Sequence, residues 1–110
     1  MPWLIRDGEV LATLEIAGSF ATRAAGLLGR DGVDGAMLIR PARSVHTFGM
    51  RFPLDVAFCD ADLVVLAVER LGRNRLTLPR LRARCILEAE AGAFERWRLR
   101  PGDRLEIKGG

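Results

Sequence analysis

Turn and breaker signals recur along the whole chain: Asp7-Gly8, Gly18-Ser19, Asp31-Gly32, Asp34-Gly35, Pro41, Pro53, Asp60-Ala61-Asp62 and Pro101-Gly102-Asp103. Glycine supplies positive φ, proline fixes φ and removes a donor, and aspartate bonds its own backbone, so each cluster favours a reversal over a helix. A chain interrupted this often has little room for long helices. The stretches between the signals are short, and the clearest alternates with period two: Val10, Ala12, Leu14 and Ile16 against Leu11, Thr13 and Glu15. That is the pattern of a half-buried strand.

Residues 2–6 and 9–17 therefore read as a β-hairpin around Asp7-Gly8. Further strands are expected at 36–40, 54–59, 63–70, 84–90 and 104–108. Residues 44–50 are expected to be extended, and 71–81 to be irregular. The run 63–70 is apolar on both faces, which marks an interior strand. Ser19 is placed to cap a helix over 20–28, where Phe20, Ala24, Leu27 and Leu28 share one face. A shorter helix fits within 91–99. Seven short strands and one main helix give a mainly β fold, an antiparallel sandwich or partly open barrel.

One domain spanning 1–110 is expected, because splitting 110 residues would starve both cores. Hydrophobic residues make up 49% of the chain and charged residues 28%, which excludes a disordered tail and a disulfide-dense miniprotein. No apolar run approaches the ~20 residues that span a bilayer. No basic stretch followed by an apolar core opens the sequence. A cytoplasmic monomer without a membrane partner is the resulting expectation. The net charge is +3, and Lys108 is the only lysine among 17 cations. So small a charge does not hold nucleic acid at physiological salt, where several phosphate contacts are needed.

Cys59 and Cys85 are 26 positions apart, with no C-x-x-C pair and only one histidine, so no four-ligand zinc site can be assembled. Both lie in apolar runs, as buried reduced thiols do. No metal or cofactor is expected.

Three blocks in order carry a family resemblance. They are Arg23-Ala24-Ala25-Gly26-Leu27-Leu28-Gly29-Arg30, His46-Thr47-Phe48-Gly49-Met50-Arg51-Phe52-Pro53-Leu54-Asp55-Val56-Ala57-Phe58, and Leu87-Glu88-Ala89-Glu90-Ala91-Gly92 followed by Leu99-Arg100-Pro101-Gly102-Asp103-Arg104-Leu105. Together they resemble the family catalogued as domain of unknown function 192, over about residues 10–108. The resemblance implies a compact β sandwich of jelly-roll type with a short helix near the front. It implies no reaction. Many members carry Trp and Asn in the central block, where this sequence has Gly49 and Phe52.

The central block holds the candidate ligand residues. His46 is the only imidazole, Phe48 and Met50 offer apolar walls, and Arg51 offers a cation. Asp55 sits in an apolar strand, where an unpaired carboxylate is costly, so it either bonds backbone N–H groups or an arginine such as Arg51, or serves as a ligand-facing acceptor at a cleft. Glu88 and Glu90 are two apart in a strand, hence on one face, either as an acid–base pair or on a solvated or arginine-paired surface. Arg73, Arg75, Arg80 and Arg82, within a stretch from Arg70 to Arg84, form a weaker candidate for gripping an anion. The expected function is a small binding module for a small molecule or protein partner, without catalysis. The alternative is a hydrolase or transferase using the carboxylates with His46.

Overall fold

The structure is a computed structural model and describes residues 2–18 and 35–109. The expected helix over 20–28, with the first of the three blocks, lies outside the described residues. Among the described residues there are seven strands: β1 (Trp3–Arg6), β2 (Glu9–Ala17), β3 (Ala36–Ile39), β4 (Leu54–Cys59), β5 (Val65–Leu71), β6 (Cys85–Glu90) and β7 (Glu106–Lys108). One short helix, α1 (Ala93–Trp97), follows β6. The expected hairpin forms β1 and β2, and both of its turn residues take positive φ, Asp7 at 50° and Gly8 at 79°. That is the backbone twist a two-residue hairpin turn needs.

The strands make one mixed sheet in the order β5-β4-β6-β3-β2-β1-β7. β2 serves two neighbours. Residues 9–13 pair antiparallel with β1, whereas Leu14–Ala17 pair parallel with Ala36–Ile39 of β3. This parallel pair makes the sheet mixed, where a mainly antiparallel one is expected, because neither strand's own pattern says which neighbour it takes or in which direction. Gly35 opens β3 at φ 77°, and a Cβ there would run into the Thr13 hydroxyl and carbonyl. Only glycine lets β3 start so close to β2.

β5 also corrects an expectation. It lies at the edge of the sheet, not the interior, and its later residues Val68, Glu69 and Arg70 are exposed. Its apolar start is covered in another way. The backbone of 63–65 bonds that of 102–105, through Val65 N–H to Asp103 C=O, Gly102 N–H to Val65 C=O and Leu105 N–H to Leu63 C=O. The two edges of the sheet thus touch over a few residues, but no continuous ladder closes it. The true interior strands are β3, β4 and β6, whose residues are buried except Glu90.

Alternation in these strands sorts side chains onto two faces. Leu38, Ala57, Cys59, Leu87 and Ala89 point to an inner core closed by Phe94 and Leu99. Met37, Ile39, Leu54, Val56, Phe58 and Ile86 point to an outer core covered by Val45, Met50, Phe52 and Ala83. The segment 44–50 is not a strand: only His46 forms a bridge, to Leu76. Two connections, 40–53 and 72–84, therefore roof the outer face.

Candidate functional site

The central block is divided between the two faces of the sheet. Asp55 belongs to the inner face, and its side chain is 6% exposed. Its Oδ1 accepts from Arg70 Nε at 3.1 Å, and its Oδ2 accepts from the backbone N–H groups of Gly92 at 2.8 Å and Phe94 at 3.1 Å. The carboxylate thus caps α1 from a neighbouring strand, satisfying donors that a helix start leaves open. The pairing raises the Arg70 guanidinium above its ordinary value, chiefly through the hydrogen bond to Asp55. The arginine partner is Arg70, not Arg51, because Asp55 and Arg70 face each other in the β4–β5 register.

Around this corner lies an open cleft of about 590 Å³, lined by Val68, Phe94 and Leu99 with Glu69, Arg70, Glu95, Arg98 and Arg100. Its cations and carboxylates are equal in number once Asp55 is included. Its one buried carboxylate already accepts three hydrogen bonds, and the other two carboxylates that line it, Glu69 and Glu95, are exposed.

The other members of the block sit on the outer face. His46 is half-buried, and its Nδ1 accepts from the Phe48 N–H at 3.2 Å. The two rings stack at 5.2 Å with 23° between their planes, leaving Phe48 51% exposed. Met50 is buried in the outer core and Arg51 is exposed. Glu88 points to the same side of the sheet, opposite Met37 and Val56, and is wholly buried. A solvated surface is therefore not its setting. Glu90 is exposed at the end of β6 and lines a separate, smaller cavity with Thr13, Arg96 and Trp97. The two glutamates do not form a pair in one cleft.

The arginine stretch is brought against the central block. Thr47 N–H donates to Arg75 C=O at 2.8 Å, Thr77 N–H to Val45 C=O at 2.9 Å, Arg80 N–H to Arg43 C=O at 3.1 Å and Ala42 N–H to Arg84 C=O at 3.0 Å. Two threonine hydroxyls rivet the pair. Thr47 Oγ1 donates to Gly72 C=O at 2.6 Å and accepts from Arg75 N–H at 2.9 Å. Thr77 Oγ1 accepts from Val45 N–H at 3.0 Å and donates to Val45 C=O at 3.3 Å. These rivets were not singled out from the sequence, although threonine in a basic, irregular stretch is a recognisable anchor.

The joined connections carry eight arginines (Arg40, Arg43, Arg51, Arg73, Arg75, Arg80, Arg82 and Arg84) and, from 40 to 54 and from 70 to 84, no acidic residue. Against a net charge of +3, these eight leave the rest of the chain five charges negative. Glu69 at the margin pairs with Arg80 at 3.7 Å. Leu76, Leu78 and Leu81, at 63%, 84% and 82% exposure, stand among the cations. The leucines were the missed residues: sequence reading registered the cations and passed over the apolar positions between them.

The thiols lie opposite one another, Cys59 on β4 and Cys85 on β6, both free and buried. The interaction between the two sulfurs, together with burial, pushes the Cys59 thiol up, and the same interaction draws Cys85 down. Among the described residues no group of three His, Cys, Asp or Glu side chains converges to hold a metal ion. Nor is any helix among them long and apolar enough to cross a membrane.

Comparison with known proteins fits this architecture. Residues 3–107 match the family DUF192, described as "Uncharacterized ACR, COG1430". The UPF0127 protein PH1112 of Pyrococcus horikoshii is 33% identical over 105 residues, covering 91% of this chain and 88% of that protein. The UPF0127 protein PYRAB11210 of Pyrococcus abyssi is 29% identical, covering 84% of each. Two crystal structures share the fold. One, a Sinorhizobium meliloti 1021 protein provisionally named a transcription regulator, has a TM-score of 0.80 and 26% identity, with 96% of this chain and 91% of that chain covered. The other, a Novosphingobium aromaticivorans protein of unknown function, has a TM-score of 0.74 and 22% identity, with 96% and 82% covered. With the family match extending over nearly its whole length and a curated member a third identical, the chain belongs to the domain of unknown function 192 family.

Proposed function

We propose that this chain is a binding module, not an enzyme, and that its working surface is the outer face built by 40–51 and 72–84. The observation that carries this reading is the combination of arginine density, on two connections that themselves contain no acidic residue, with leucines held in water. Exposed leucine forfeits the free energy that its burial would release, about 1.5–3 kcal/mol per side chain. Contiguous exposed apolar surface in a cationic setting marks a contact surface more often than a solvated one. His46, Phe48 and Arg51 belong to that surface, as do Arg73, Arg75, Arg80 and Arg82. Asp55 belongs to the scaffold that holds α1 on the sheet.

A catalytic reading finds less support. The carboxylates available for acid–base work are either engaged, as Asp55 is, or separated, as Glu88 and Glu90 are. The provisional name of the Sinorhizobium relative points towards nucleic acid. On this face, however, the one exposed ring is already stacked on His46, so a run of stacking aromatics is lacking.

Heparin, a soluble polyanion, is a convenient probe of the surface. The wild-type protein is expected to be retained on immobilised heparin and released by moderate salt. Reversal of two face charges, Arg75→Glu with Arg82→Glu, is expected to abolish retention. The same change in total charge at the cleft, Arg98→Glu with Arg100→Glu, is expected to leave most of it. Equal losses from the two pairs would mean that only net charge matters, and the proposed surface would fall.

A further inference from the structure

We infer that the occupant of this face is an anionic lipid surface, with Leu76, Leu78 and Leu81 entering the boundary between headgroups and acyl chains and the surrounding guanidinium groups meeting lipid phosphates. The inference rests on the binding-face reading above and names its partner.

Three features of the face select a bilayer over other acidic partners. The first is relief. From 72 to 84 every residue is exposed except Thr77 and Ala83, which anchor the connection, so the leucines stand outward from a fixed base. Their backbone cannot fold them back, because Thr77 is bonded on both sides to Val45 and Thr47 holds Gly72 and Arg75. Such a surface is already ordered, and little freedom is lost on docking. A deformable apolar layer accepts protruding leucines without matching their outline, whereas a folded protein would need a recess at each one.

The second feature is the alternation of apolar and cationic residues along the connection: Arg73, Arg75, Leu76, Leu78, Arg80, Leu81, Arg82 and Arg84. That intermixing suits an interface where phosphates and hydrocarbon lie within one side-chain length of each other. A duplex offers phosphates but no broad apolar layer for three leucines. The third is polarity of the whole molecule. With eight arginines on this face and a remainder that is net negative, approach to an anionic plane orients the face inward.

Co-sedimentation with vesicles tests the assignment directly. Vesicles of phosphatidylcholine alone should leave the protein in the supernatant, and vesicles containing phosphatidylglycerol should carry it down, less so as salt rises. Replacing Leu78→Ser with Leu81→Ser should weaken that binding by about tenfold or more at unchanged melting temperature, since both side chains are almost fully exposed in the free protein. Arg75→Glu with Arg82→Glu should abolish it, and Arg98→Glu with Arg100→Glu should not. Binding that ignores the leucine replacements would be plain electrostatics and would overturn the lipid assignment. So would tighter binding to a short DNA duplex or to a peptide alternating Glu and Leu. Absence of vesicle binding alongside face-dependent heparin retention would overturn the lipid alone and leave the binding face standing. Loss of both would remove the two readings together.

Discussion

Asp55 on the inner side of the sheet and the arginines of 72–84 on the outer side carry charge under opposite conditions. The Asp55 carboxylate is 6% exposed, and its two oxygens accept from one guanidinium and two backbone N–H groups. Arg73, Arg75, Arg82 and Arg84 meet water, with apolar side chains exposed between them and no acidic residue in the same stretch. The first arrangement has partners for each oxygen and leaves nothing over for a ligand. The second has donors in excess and apolar area uncovered. Buried charge that is fully bonded belongs to the scaffold, and exposed charge mixed with apolar side chains belongs to the contact surface.

The contrast can be broken at several points. Asp55→Ala should have the largest effect, destabilising the fold by about 3 kcal/mol, because it strands two buried helix-start donors and removes the partner of Arg70. Urea denaturation would measure it. A change within experimental error would mean that the Asp55 corner does not hold α1. Binding to heparin by the fraction that remains folded should be unaffected.

Thr77→Val comes next. It removes the hydroxyl that accepts from the buried Val45 N–H, an expected loss of about 2 kcal/mol. Because Thr77 also fixes the base of the leucine connection, this variant alone should lower both stability and heparin retention. An effect on stability without any on retention would show that rigidity of the connection is irrelevant to binding.

The thiols give a pH-dependent check on the inner face. As pH rises Cys85 should ionise before Cys59, since the interaction between the two sulfurs raises one thiol and lowers the other. Alkylation followed by mass spectrometry should be slow for both in the native state and should reach Cys85 first. Cys59→Ala should move the reaction of Cys85 to higher pH. Faster labelling of Cys59 would contradict that order of ionisation. The smallest change in stability belongs to Leu78→Ser, within about 0.5 kcal/mol of wild type, as expected at an exposed position.

Much of this molecule was legible before its structure. The hairpin at Asp7-Gly8 and the strands Glu9–Ala17 and Leu54–Cys59 follow from local alternation and turn chemistry, which the sequence carries directly. Partners across the sheet are less local. Arg70 faces Asp55 because β4 and β5 fold back about the turn near Asp62, an equivalence that counting outward from that turn would have revealed. The edge position of β5 depends on where 102–105 lies, and the parallel β2–β3 pair depends on a crossover, neither of which is written in the strands themselves. Grouping His46 with Asp55 followed their closeness in sequence. The Phe52-Pro53 break puts the stretch before it on the outer face and leaves Asp55 on the inner one.

Titration of ¹⁵N-labelled protein with a short heparin oligosaccharide, followed by amide shift mapping, tests the division between scaffold and contact surface most directly. The expected perturbations fall in 42–51 and 72–84 and spare 92–100 around Asp55 and the cleft. Shifts concentrated at Arg70, Phe94 and Arg98, or spread evenly over the molecule, would contradict the assignment of binding to the outer face.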